Sequence, residues 1–206
     1  MSNDLNSVNI KSGYHHGALR EALIAAAEEV IAERGVDGFS LRETARRVGV
    51  SPAAPGHHFR DARGLLTAVA TGAFRAFGDA LEAADREAGR DRVARVRAQG
   101  MAYVRFALAN RAKFDLLWRK VLIDGTDPDY QAAGDRAFAI LDDAVRGALA
   151  PIGQNWEGDL APSMAAWSMV HGFARLAMDG VFGGEDDAAE RATEALLPRV
   201  LDHLRI

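Results

Sequence analysis

Apolar residues recur every three or four positions through most of the chain, and no stretch alternates with the period of two that a half-buried strand requires. The pattern predicts an all-helical protein. Leu19, Leu23, Ala26, Ala27, Val30 and Ile31 form a first stripe, broken at Gly35, for a helix of about five turns. Leu41, Ala45 and Val48 form a second, preceded by Ser40 and Glu43 at the spacing of a capping box. Gly49 follows, where a chain leaving a helix favours the left-handed conformation. Val50 then packs back, Ser51 is placed as an N-cap, and Pro52 takes the first position of a third helix running towards Phe59. The small Ala45 side chain lets the two helices approach closely, and Phe39 enters the core beneath them. Residues 40–59 therefore have the spacing of a helix-turn-helix.

Beyond Asp61 the pattern predicts one long connecting helix to about Ala88, with Leu65, Leu66, Val69, Phe74, Phe77 and Leu81 on a broad apolar face. Gly89 and Arg90 separate it from a further helical stretch jointed at Asn110 and Arg111. Residues 125–128 read as a turn, followed by a helix ending before Pro151 and a loop over residues 153–158. Pro162 opens a helix that is apolar on nearly every side, and such a helix is buried all round or lies in an interface. Gly183 and Gly184 close it. A last amphipathic helix has acidic residues in its first turn and an interruption at Pro198. The organisation expected is a loose, flexible arm over residues 1–13, a helix-turn-helix head over 14–60 and a helical body over 61–206.

Composition adds limits. The chain has 206 residues, long enough for a core beyond one small DNA-binding module, and its 49% apolar and 26% charged content is ordinary for a globular protein. No apolar run approaches bilayer length and residues 1–13 carry no export or transit pattern, so a soluble, cytoplasmic protein without membrane contact is expected. The absence of cysteine excludes disulfides and thiolate metal sites. A net charge of −4 argues against a nucleic-acid partner, but its distribution softens the objection. Residues 1–70 hold eight basic and eight acidic side chains and four of the six histidines, so the acidic excess belongs to the body. Without a dense basic patch, affinity for DNA must come from placed contacts.

The three-helix head, the connecting helix and the all-helical body together resemble the TetR family of transcriptional regulators over the whole chain. The residues that carry the resemblance are the periodic first helix, the run SLRETARRVGVS, the pair His58-Phe59 and the pair Leu65-Leu66. In the body, Trp167 followed by His171-Gly172 looks like the Trp-His-Gly (WHG) signature of one C-terminal domain class of that family. The run GYHHGALR resembles an entry sequence common in that class.

The resemblance implies an all-α regulator, not an enzyme, without cofactor or metal. It implies a homodimer whose last two helices pair across the two-fold, with Trp167, His171, Gly172, Leu196, Leu197 and Val200 at the interface. Two heads would then read successive major grooves of a pseudo-palindromic double-stranded DNA operator. It also implies a small-molecule effector, of unknown identity, whose binding in the body releases the operator; Phe106, Phe114, Trp118, Phe138 and His171 are the candidate pocket residues. DNA contacts carried over from the family pattern are Arg42, the caps Ser40 and Ser51, the groove-facing Ala53 and Ala54, and His57 and His58. Arg60, Arg63 and, from the arm, Tyr14, His15 and His16 complete the set. Alanines offer a groove only methyl contact, so base reading by this helix is weak.

Two positions depart from the family pattern. Gly56 stands where a tyrosine is usual, and Ala62 where a lysine is usual; both lost side chains are typical backbone contacts. Pro55 also removes an internal helix hydrogen bond and Gly56 adds freedom, so the recognition helix should be less rigid than usual. Other readings stay open. The motif can be a helical hairpin with no DNA role, the His15-His16 and His57-His58 pairs invite a metal reading without supplying a ligand set, and His171 can be a hydrogen-bonded core residue, a ligand contact, or a base beside Asp179. A ligand-sequestering dimer with lost operator binding is the main alternative.

Overall fold

The computed structural model describes residues 11–147, 160–185 and 187–204, with side chains from Gly17 onward. Every described element is helical: α1 (Lys11–Arg34), a 3-10 turn (Val36–Gly38), α2 (Leu41–Val48), α3 (Gly56–Phe59), α4 (Ala62–Glu87), α5 (Arg92–Ala109), α6 (Arg111–Trp118), α7 (Pro128–Arg146), α8 (Ala161–Met178), α9 (Ala188–Ala195) and α10 (Leu197–Leu201). The helix α1 begins inside the stretch expected to be a loose arm, whose residues 1–10 lie outside the described residues, as does the expected loop over 153–158.

Helix starts follow from aspartates. Asp61, Asp91 and Asp127 each stand in extended backbone and accept the N–H three residues on, at 2.9, 2.8 and 2.9 Å, which satisfies donors that α4, α5 and α7 leave free. Ser40 does the same for α2, its Oγ accepting from Glu43 N–H at 3.3 Å. The return half of the expected capping box is missing. The Glu43 carboxylate is instead gripped by Arg46, at 2.8 Å through two nitrogens, and by Arg47 at 3.3 Å, because a paired guanidinium outcompetes one backbone N–H. Gly49 ends α2 at φ 75, and Leu196 separates α9 from α10 where Pro198 removes a ladder donor.

The central element is α4, which packs on α1, α3, α5, α6 and α7. Its buried side chains run from Leu65 and Leu66, beside Phe59, to Phe77 and Leu81, beside Tyr103, so one apolar cluster joins the first three helices to the rest. Polar straps reinforce that junction. Arg63 Nε donates to the Ile123 carbonyl at 2.9 Å, Asp124 N–H donates to Thr67 Oγ at 2.8 Å, and Arg119 pairs with Asp37 in the 3-10 turn. The segment after α6 is thereby tied both to the start of α4 and to the turn beneath α2.

Candidate functional site

The first end of the molecule is built around α2 and α3. Ala45 is fully buried where α2 meets α1, and Thr44 beside it donates its hydroxyl to Ser40 O at 3.0 Å. Between Ser51 and Gly56 the chain closes in three-residue steps: Ala54 N–H to Ser51 O at 3.0 Å, Gly56 N–H to Ala53 O at 3.1 Å and His57 N–H to Ala54 O at 3.2 Å. Pro55 has no N–H for the Ser51 carbonyl, so a four-residue bond first forms from Phe59 N–H to Pro55 O, at 2.9 Å. The helix expected from Pro52 therefore starts only at Gly56. Pro55 stands at its N-cap with no side-chain cap, which corrects the role expected of Ser51.

After α3 the chain turns through a strained residue. Arg60 has φ 68 and ψ −56, and Asp61 N–H donates to Phe59 O at 2.8 Å, a γ-turn of the costly positive-φ kind. Gly64 makes the turn possible, since a Cβ there would lie 1.9 Å from Phe59 O.

Most expected contact residues are available at this end. Arg42, Ser51, Ala53, His57 and Arg60 are exposed, while Ala54 and His58 are half-buried. Ser40 is occupied as a cap. Arg63 is exposed as well, and its Nε donates to the Ile123 carbonyl, so it also straps head to body. Arg47 is likewise taken up, by Glu33 and Glu43, and these hydrogen bonds hold Glu33 and Glu43 below the usual carboxylate range, Glu43 at about 2 with Arg46 the first cause. The side chains of Tyr14, His15 and His16 lie outside the described residues. Among the described residues no group of three or more His, Asp or Glu is placed to hold a metal ion.

The second end is a cavity of about 450 Å³ enclosed by α4, α5, the segment after α6, α7 and α8, within the range of small-molecule sites. Phe74, Phe77, Tyr103, Trp118, Tyr130, Phe138 and Trp167 give it aromatic walls, and Lys120, Gln131 and Asp135 are its exposed members. Of the residues expected to line a pocket, Trp118 and Phe138 do so. Phe114 is fully buried behind them, Phe106 packs on Phe77 with ring centres 5.1 Å apart, and His171 backs the wall. The ring-bearing stretches of α4 and α5 were legible as core; nothing in their spacing distinguishes a residue facing a void from one facing a neighbour.

His171 and Trp167 belong to one polar relay. Trp167 Nε1 donates to the Tyr103 hydroxyl at 3.2 Å, and Tyr103 lies 2.8 Å from His171 Nδ1. Because the indole can only donate, the arrangement that satisfies all three has Tyr103 donating to Nδ1, with the imidazole proton on Nε2. Burial first, then the positive Arg175 one turn on, lowers the His171 pKa and favours that neutral form; burial likewise raises the Tyr103 pKa. Trp167 and His171 thus hydrogen-bond inward to Tyr103 while staying half-buried, and Leu197 is wholly buried within its own chain, which corrects its expected place on a dimer face. Gly172 is half-buried with open space where a Cβ would stand, Val200 packs partly on the core, and Leu196 is exposed. The outward stripe of α8 is Ala161, Ala165, Ser168, Gly172 and Leu176.

Comparison with known proteins agrees with this two-ended construction. Residues 23–69 match the model of bacterial regulatory proteins of the tetR family, and residues 96–200 match the tetracyclin repressor-like C-terminal domain. The chain belongs to the TetR family, whose members are DNA-binding regulators and not enzymes. A solved protein of unknown function from Rhodococcus sp. RHA1 is 36% identical over 94% of this chain and 99% of its own, with a TM-score of 0.73. The TetR family transcriptional regulator PfmR from Thermus thermophilus shares the fold at 23% identity, covering 89% of this chain and 99% of its own with a TM-score of 0.62. RolR, solved with the ligand resorcinol, shares it at 20% identity, 93% and 96% coverage and a TM-score of 0.59. A search of the curated proteins gave no match. Among the described residues no helix is long and apolar enough to cross a membrane.

Proposed function

We propose that the protein is a repressor that binds a pseudo-palindromic operator as a homodimer and leaves it when a small molecule fills the cavity. The observation that carries this reading is that α4 serves both ends: Phe74 and Phe77 wall the cavity, while Leu65 and Leu66 share a core with Phe59 where the same helix packs on α3. A ligand that pushes α4 relative to α5 and α7 moves the head, and it weakens operator binding by as much as it prefers the displaced arrangement. The α8 stripe of small residues with Leu176, extended by Leu196, is the face that fits a second copy. Trp167, His171 and Gly172 keep the Trp-His-Gly type as our assignment for the C-terminal domain.

A second reading has its own support. The shortness of α3 and the small side chains of Ala53, Ala54 and Gly56 suit a dimer that captures its ligand but holds DNA weakly. Mobility shift against the DNA upstream of its own gene separates the two: the repressor reading expects a dimer-sized complex whose affinity falls steeply with salt. A tight complex that is unchanged between low and high salt defeats the placed-contact account, and no complex at any salt favours the capturing dimer.

A further inference from the structure

The walls of the cavity turn their polar atoms away from it. The Tyr103 hydroxyl is shared by Trp167 and His171, the Tyr130 hydroxyl donates to Leu117 O at 3.0 Å, and Gln99 Nε2 donates to Asp85 at 2.6 Å and Ile140 O at 3.3 Å. Gln99 Oε1 and Trp118 Nε1 have no partner, but both atoms are covered. The charged lining residues, Lys120 and Asp135, are opposite in sign and exposed, so they mark the mouth. Asp85, behind Gln99, is already held by Arg95 at 2.8 Å. An ion carried inside would lose its water and find no buried counter-charge among the described residues.

Ring faces attract cations as well as apolar groups, and the packing decides between them. The wall rings meet edge to face, Phe77 with Tyr103 at 4.9 Å and 87° and Phe74 with Trp118 at 5.9 Å and 88°, so in each pair one ring's edge already covers a face of the other that a cation would otherwise use. An uncharged ring adds to such a wall in the same edge-to-face or offset manner. We infer that the effector is a neutral, ring-bearing molecule whose apolar body is buried among these side chains and whose hydroxyl or carbonyl, where it has one, faces Lys120, Gln131 and Asp135. The inference rests on the cavity being the effector site.

Three benzophenones of similar shape test it: the neutral 4-(hydroxymethyl)benzophenone, the anion 4-benzoylbenzoate and the cation (4-benzoylbenzyl)trimethylammonium. Each is titrated calorimetrically into the full chain without DNA, then irradiated, and the point of attachment is mapped by peptide mass spectrometry. The neutral probe is expected to bind at least about tenfold more tightly than either ion and to attach to wall residues of α4, α5, α7 or α8. Gly134→Leu, whose added Cβ meets Phe74 at 3.6 Å, an ordinary contact, should fill the space and abolish binding with the helical circular dichroism unchanged. Met164→Trp, from α8, should do the same and replaces it if Gly134→Leu loses helix. Equal or tighter binding of either ion overturns the inference and leaves the cavity as a ligand site. If no probe attaches to the wall, both the inference and the effector-site reading fail, whatever the operator assay shows.

Discussion

Around α2, charged side chains are matched to one another: Glu43 to Arg46 and Arg47, and Arg47 to Glu33. Around the cavity, aromatic side chains are matched to one another and still leave about 450 Å³ unfilled. The head thus pairs Arg46 and Arg47 with carboxylates and leaves Arg42 and Arg60 exposed, while the body keeps open a volume that close packing would normally remove. The contrast teaches that neither end can be judged by its residue types alone. Arginines near the helix-turn-helix are not all unpaired, and aromatics at helical spacing are not all core.

The sharpest way to break the contrast is to hollow the body where it is full. Phe114→Ala removes a fully buried ring behind the cavity and should cost about 3–5 kcal/mol in urea unfolding. A cost under about 1 kcal/mol would mean that the body tolerates voids generally and that the cavity has no special standing. Next in size is Gly64→Ala, which drives a Cβ against Phe59 O and should destabilise by about 2–3 kcal/mol while loosening operator binding. Unchanged stability would mean that the γ-turn at Arg60 does not depend on the bare backbone of Gly64.

A smaller effect is expected at the head's surface. The Gly56 position is exposed and open around its missing Cβ, so Gly56→Tyr should restore a phosphate contact and tighten operator binding several-fold, about 1 kcal/mol, without changing the fold. Flat affinity across a salt series would refute our account of this departure. The smallest effect concerns pH. The folded chain lowers the His171 pKa below its ordinary 6.5, so the neutral ring's contribution is present above that value and is lost as pH falls below it. His171→Gln should flatten the melting temperature between pH 6.5 and 5; a variant whose acid slope matches the parent's would place the titration elsewhere.

Local chemistry made much of this legible from the chain alone. Ser40, Ala45 and Gly49 define α2, Asn110 marks the joint of α5 and α6, and Pro198 the break between α9 and α10, because caps, small residues and missing donors act within one or two turns. Pro55 was readable too, though its full consequence, a recognition helix reduced to Gly56–Phe59, needed the hydrogen bonds around it. What only the tertiary structure decided were pairings between distant segments. Arg63 meets a carbonyl sixty residues on, Trp167 and His171 turn inward to Tyr103, Leu197 sinks into its own chain, and rings from α4, α5, α7 and α8 surround a cavity. Periodicity determines which face of a helix is apolar. Whether that face meets a neighbour, a second copy or a void depends on how the other helices pack.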